Sequence, residues 1–125
     1  MENRKKDSII ELQKVSKTYG SGDAKMFALR EVNLSISRGE FVGVVGDSGS
    51  GKSTFLNMLG ALDRPSCGEV FFNGKSLVGL KDRVLTKLRR HYISVIFQFY
   101  NLIPTLTALE NIMVSQEIAV NPLGP

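Results

Sequence analysis

The sequence is poor in the features that mark several specialised protein classes. Its 125 residues include one cysteine, Cys67. That excludes an intramolecular disulfide and any multi-cysteine metal site, and it fits a reducing compartment, with the cytoplasm as the default. No stretch of about 18 apolar residues occurs, and the charged residues 1–7 lead into no apolar h-region. Neither a membrane span nor secretion is expected. There are only four prolines, with 42% apolar and 22% charged residues, the balance of a folded chain rather than a disordered one. Internal repeats and low-complexity segments are absent. The formal charge is only +4, with basic residues scattered among acids except at Arg4-Lys5-Lys6 and Arg89-Arg90. Because no basic run is interleaved with aromatics, nucleic acid is not an expected partner. The length predicts a single domain spanning residues 1–125.

What is present is an ordered series of strand and helix signals. Ile9-Ile10-Glu11-Leu12-Gln13-Lys14-Val15 is β-rich, and residues 27–37 place Leu29, Val32, Leu34 and Ile36 in near alternation, so both predict strands. The turn cluster Gly20-Ser21-Gly22-Asp23 separates them and Arg38-Gly39 makes a second break, which together predict an antiparallel sheet. Glu40-Phe41-Val42-Gly43-Val44-Val45 is apolar without alternation, as in a strand buried on both faces of a parallel sheet. Phe55, Leu56, Leu59 and Leu62 give residues 52–62 helical spacing, ended by Asp63-Arg64-Pro65. Residues 69–72 predict a short strand closed by the turn pair Asn73-Gly74, and Val84, Leu85 and Leu88 predict a helix over 80–90. Tyr92-Ile93-Ser94-Val95-Ile96-Phe97 reads as another buried strand, ending at Gln98. Thr107-Ala108-Leu109-Glu110 has capping-box spacing and predicts a helix from Thr107 to about Ile118, which the tail Asn121-Pro122-Leu123-Gly124-Pro125 cannot continue.

Between the first buried strand and its helix lies Gly46-Asp47-Ser48-Gly49-Ser50-Gly51-Lys52-Ser53, a full G-x-x-x-x-G-K-[ST] phosphate-binding loop. The ligand explains the residue types. Glycines let the backbone curl so that successive N–H groups converge on phosphate oxygens, and the helix beginning near Lys52 adds its positive dipole end. Lys52 would bridge the β- and γ-phosphates of ATP or GTP as a point charge. The Ser53 hydroxyl would coordinate Mg²⁺, and Thr54 would meet the neighbouring phosphate. An ordinary Gly/Ser turn before a helix is the bland alternative, but the buried strand before the loop and the helix after it supply the context that phosphate binding requires.

The residues around this loop resemble the ATP-binding subunit of ABC transporters, in particular the lipoprotein-releasing and macrolide-export type. The likeness runs from Ile10 to about Ile118, within a matched region of 8–118. It is carried by Val15-Ser16-Lys17-Thr18-Tyr19, Ala28-Leu29-Arg30-Glu31-Val32, Gly39-Glu40-Phe41, Gly60-Ala61-Leu62-Asp63-Arg64-Pro65, Gly68-Glu69-Val70, Arg89-Arg90-His91-Tyr92-Ile93 and the run from Phe97-Gln98-Phe99-Tyr100-Asn101-Leu102 to Asn111. The resemblance implies an α/β fold with a P-loop NTPase-like parallel sheet core, incomplete here, and an antiparallel β subdomain. Residues 1–7 would then be a flexible tail, and 119–125 a tail outside the family pattern. It further implies that Tyr19 stacks on the adenine ring of ATP. Gln98 would reach Mg²⁺ or the attacking water from a loop that abuts the membrane subunit. Without the resemblance, Tyr19 reads as a sheet aromatic and Gln98 as a polar strand end. Cys67 and Ser94 replace residues more often Thr or Ser, and Gly, in the family. His91 and Cys67, single and without partners at ligand spacing, receive no site role.

The family pattern continues with a Leu-Ser-Gly-Gly-Gln signature, an apolar strand ending in Asp-Glu and a switch histidine, and this chain contains none of them. His91 precedes Gln98 and so cannot be that histidine. No catalytic residue is therefore assigned, and negligible ATPase activity is expected of the chain alone, since phosphoryl transfer depends on positioned charge-stabilising groups. Strands missing from the parallel sheet should also leave apolar faces and backbone edges open. The first reading is the N-terminal part of an ABC transporter ATPase. Its full-length form would pair with a second ATP-binding subunit, lie at the inner face of the cell membrane, and power export or lipoprotein release. A non-hydrolysing nucleotide-binding module that meets the membrane subunit through the Gln98 loop is the second. An unrelated P-loop kinase is disfavoured by the surroundings of Tyr19 and Gln98.

Overall fold

The computed structural model describes residues 7–118, which fall into two compact units dividing between Leu80 and Lys81. The expected tail at 119–125, and the expected N-terminal tail apart from Asp7, lie outside the described residues.

The first unit is built on strands β1 (Ser8–Tyr19), β2 (Met26–Ser37), β3 (Cys67–Phe72) and β4 (Lys75–Ser76), in sheet order β2-β1-β3-β4 with every pairing antiparallel. A short 3-10 turn, Gly22–Ala24, joins β1 to β2. Leu12 on the central strand pairs with Leu34 on one side and Val70 on the other, and Ile10 with Ile36 and Phe72. Leu12, Val15, Leu29, Val70 and Phe72 are buried from the sheet, while Met58 and Ala61 are buried from helix α1 (Lys52–Leu59) and the turn after it. In the β3–β4 hairpin, Asn73 and Gly74 both have positive φ, 48° and 77°. That is the two-residue mirror-type turn for which Asn-Gly is the favoured pair.

Strand β1 runs four residues beyond the expected Val15, because an irregularity interrupts its alternation without ending it. Lys14 and Glu31 adopt left-handed φ of 48° and 44°, so their amides leave the ladder. Side chains take over: Lys14 N donates to Asn33 Oδ1 at 2.9 Å and Glu31 N donates to Ser16 Oγ at 2.9 Å. Ser16 is buried and its hydroxyl is thereby satisfied.

The second unit holds α2 (Asp82–Tyr92) and α3 (Ala108–Ile118). Thr107 N donates to Glu110 Oε2 at 2.7 Å and Glu110 N donates to Thr107 Oγ1 at 3.2 Å, the reciprocal pair the sequence spacing called for. The Thr107 backbone N–H, followed by its hydroxyl, holds the Glu110 carboxyl below its ordinary value. Asn111 pins the preceding loop, accepting from Ile103 N at 2.8 Å and donating to Leu106 O at 3.2 Å and Thr107 O at 2.9 Å.

The two stretches read as buried parallel strands behave differently. Residues 40–45 and 93–97 pair with no strand among the described residues, and Tyr92 closes α2 instead of opening a strand. Phe41 is 100%, Val45 92% and Ile96 98% exposed. The physical reason is that a parallel strand gains its burial and its hydrogen bonds from neighbours distant in sequence. The described sheet contains only antiparallel ladders, so the parallel core is incomplete and its apolar faces are open. Helix α1 also buries Met58 and leaves Leu56 half-exposed, a rotation from the face the apolar spacing had indicated.

Candidate functional site

Residues 46–53 form the turn that leads into α1. Gly49 and Gly51 have φ of 78° and 100°, and Gly51 is the N-cap of the helix in the left-handed region. Ser50 N closes a tight turn on Asp47 O at 3.1 Å, and Phe55 N starts the helical ladder on Gly51 O at 2.9 Å. No side chain caps α1 and its first turn contains no acid. The amides of that turn are therefore left for an external acceptor, in the positive field of the helix end. The Lys52 side chain folds back over the loop, its Nζ donating to Gly46 O at 2.5 Å, Asp47 O at 2.6 Å and Ser50 Oγ at 3.3 Å. Uncapped first-turn amides and the Lys52 ammonium are donors of the kind that can bind an oxyanion.

The glycines have different jobs. A Cβ on Gly51 would run into the carbonyl oxygen of Ala28 on β2, so the loop can sit this close to the sheet only without a side chain. A Cβ on Gly46 would meet Ser50 Oγ at 2.7 Å, inside the cradle itself. At Gly49 nothing lies within 4 Å, and there only the backbone conformation demands glycine.

Ser53 and Thr54 follow in the first turn of α1. The Ser53 hydroxyl is a hard oxygen donor, of the kind Mg²⁺ prefers. Among the described residues no group of three His, Cys, Asp or Glu could hold a metal ion. His91 instead sits in the last turn of α2 with Nδ1 2.7 Å from Lys87 O, and Cys67 is exposed at the start of β3.

Tyr19 closes β1, opposite Met26, and is 48% exposed. Lys17 Nζ lies over its ring, 5.4 Å from the centroid. The same ammonium is 2.9 Å from Asp63 Oδ1 and donates to Arg64 O at 2.8 Å, while the Tyr19 hydroxyl makes a long 3.5 Å contact with Asp63 Oδ2. Partial burial pushes the Asp63 carboxyl up. The hydrogen bonds from Lys17 and the Arg64 backbone, the Lys17 charge and the Tyr19 hydroxyl outweigh it and hold the group below its ordinary value. Sequence reasoning placed Tyr19 but missed this cluster, because the Lys17–Asp63 contact spans 46 positions and no local signal marks it.

The structure thus places the phosphate loop and Tyr19 in the first unit. Gln98 belongs to the second, exposed in a bend after the run 93–97. No described helix is long and apolar enough to cross a membrane.

Comparison with known proteins gives the family. Residues 29–122 match the ABC transporter family. An ABC transporter ATP-binding protein of Methanocaldococcus jannaschii, MJ0796, is 52% identical over 104 residues, 83% of this chain and 44% of that protein. The lipoprotein-releasing system ATP-binding protein LolD of Geobacter metallireducens is 44% identical over 112 residues, 90% of this chain and 50% of its own. A solved dimeric structure of the MJ0796 ATP-binding cassette, in a post-hydrolysis state bound to ADP and Pi, superposes with a TM-score of 0.85 at 46% identity, covering 93% of this chain and 50% of that one. The chain spans about half the length of these relatives. It belongs to the ABC transporter family and corresponds there to part of the ATP-binding cassette.

Proposed function

We propose that residues 46–53 bind the phosphates of ATP with Mg²⁺ and that Tyr19 stacks on the adenine. The observation that carries this is the curled loop at the uncapped start of α1, with Lys52 Nζ folded over the Gly46 and Asp47 carbonyls. In the bound state Lys52 turns from those carbonyls to the β- and γ-phosphates, while the amides of Gly51, Lys52, Ser53 and Thr54 and the neighbouring backbone of Asp47, Ser48, Gly49 and Ser50 line the cradle. The Ser53 hydroxyl would hold Mg²⁺, which would supply charge neutralisation at the phosphates; a Mg²⁺ contact from the Gln98 amide oxygen is what the family resemblance alone implies.

We read residues 1–125 as belonging to one ABC-type ATP-binding domain. In the full-length form that domain works as a pair with a second ATP-binding subunit. It meets a membrane subunit through the Gln98 loop at the inner face of the cell membrane, and drives export or lipoprotein release by ATP binding and hydrolysis. The second reading, binding without turnover, describes the chain taken alone. Its sequence holds no acid placed after four apolar residues of a strand to polarise water.

Titration of a fluorescent ATP analogue with Mg²⁺ tests the proposal. Saturable binding is expected of the wild-type chain and is lost in Lys52→Ala, with no measurable release of phosphate from ATP in either. Binding that survives Lys52→Ala unchanged refutes the phosphate cradle, and turnover at the rate of a complete cassette refutes the second reading.

A further inference from the structure

Packing covers only about half of Tyr19. It ends a strand, is 48% exposed, and pairs across the sheet with Met26, which is 72% exposed. An exposed ring free to change rotamer makes a poor stacking platform, because ordering it on binding costs affinity. What restrains it is polar. Lys17 occupies one face of the ring as a cation; Asp63 anchors that cation at 2.9 Å and reaches the phenol in a long 3.5 Å contact. The Lys17 side chain is only 14% exposed, so its charge has few partners other than Asp63 and the Arg64 carbonyl.

Asp63 lies in the turn that follows α1, and the N-terminus of α1 is the phosphate loop. The ion pair therefore fastens the end of β1 to the far end of the helix that carries the cradle. Further bonds repeat the link, from Ser66 N to Ser16 O at 2.8 Å and from Thr18 N to Ser66 Oγ at 3.0 Å.

We propose that Lys17 and Asp63 are positioning residues for base recognition, holding Tyr19 with one ring face covered and the other presented to the adenine, at a spacing fixed through α1 to the phosphate loop. The inference rests on the ATP reading given above. Neither residue touches the nucleotide. Their effect falls on the base-dependent part of the affinity and leaves the phosphate-dependent part alone.

The test compares Mg²⁺–ATP with inorganic tripolyphosphate, which has the phosphates and no base, as competitors of the fluorescent analogue. Asp63→Asn and Lys17→Met should each weaken ATP about tenfold, matching Tyr19→Ala, as expected for loss of one stacked ring. Tripolyphosphate affinity should stay within about twofold, and Lys17→Arg, which keeps the charge, should restore ATP affinity. Thermal midpoints identify any variant that no longer folds. Asp63→Asn, which keeps the shape of the side chain, decides if Lys17→Met is lost. Equal weakening of both ligands, or undiminished ATP binding in Asp63→Asn while Tyr19→Ala loses it, overturns the proposal. A Tyr19→Ala variant that binds ATP normally overturns the stacking reading, and the proposal with it.

Discussion

Replacing Gly51 by Ala should be far more damaging than the same change at Gly49, although both glycines share one loop and both have positive φ. At Gly49, φ 78°, an added Cβ meets nothing within 4 Å, so the cost is backbone strain of about 1–2 kcal/mol. The reduced freedom of the unfolded chain offsets it by about 0.4–1 kcal/mol. The net loss is then about 1 kcal/mol. At Gly51, φ 100°, the same strain applies and the Cβ also strikes the Ala28 carbonyl oxygen on β2, with Ala28 C and Leu29 Cδ2 each 3.5 Å away. Relieving a clash with backbone means displacing the helix start from the sheet, which adds about 1–3 kcal/mol. A total near 3 kcal/mol is a large fraction of what a domain of this size has in reserve. Thermal unfolding followed by circular dichroism should show a drop of about 4 °C for Gly49→Ala and about 12 °C for Gly51→Ala. If the two variants unfold within about 2 °C of each other, the approach of loop to β2 does not constrain position 51 and the reasoning fails.

Gly46→Ala should leave the thermal midpoint nearly unchanged, because the atom it meets, Ser50 Oγ, belongs to a side chain that can rotate. It should nevertheless weaken ATP-analogue binding, measured by titration, since the methyl group fills the cradle. Asn111→Ala should abolish hydrogen-exchange protection at the Ile103 amide, whose acceptor is Asn111 Oδ1, while the sheet amides keep theirs. Asp63 gives a pH dependence of definite sign. Its folded value lies below the ordinary 3.8, so the stability it contributes is present above that pH and is lost as pH falls through the folded value. Asp63→Asn should flatten the wild-type decline in midpoint as pH falls below about 4. Val45→Glu and Ile96→Glu, at 92% and 98% exposure, should each change the stability of this chain by no more than about 0.5 kcal/mol while reducing dye binding to exposed apolar surface. A loss of several kcal/mol at either would mean that the two runs are packed.

The features legible in the sequence are those whose causes are local. Asn73-Gly74 specifies its own turn, because both positions need positive φ and these residues accept it. Thr107 and Glu110 specify a helix start because their side chains reach each other's amides. The loop 46–53 is legible because its motif is contiguous in sequence, although Gly51 also answers to the distant Ala28 on β2. Where the cause is remote the sequence misleads in proportion. Strand β1 looks finished at Val15, because Asn33, on another strand, must supply the acceptor that lets Lys14 turn left-handed and the strand resume. Met58 and not Leu56 is the buried residue of α1, because burial there depends on what the helix packs against and not on its own spacing alone.

Residues 40–45 and 93–97 are the extreme case. Their mostly apolar pattern describes the two neighbours a parallel strand expects, not the strand itself. The described sheet offers them no ladder. The phosphate loop depends on this directly. Its residues begin where the run 40–45 ends, so the entry to the cradle hangs from an unpaired segment while its exit is fixed by α1 and Gly51 against β2. Flanking strands on that run would fix the loop at both ends. Phosphate affinity should therefore be lower in this chain than in a cassette whose parallel sheet is complete, with Lys52 still essential in both, and titrating the same ATP analogue into each measures the difference.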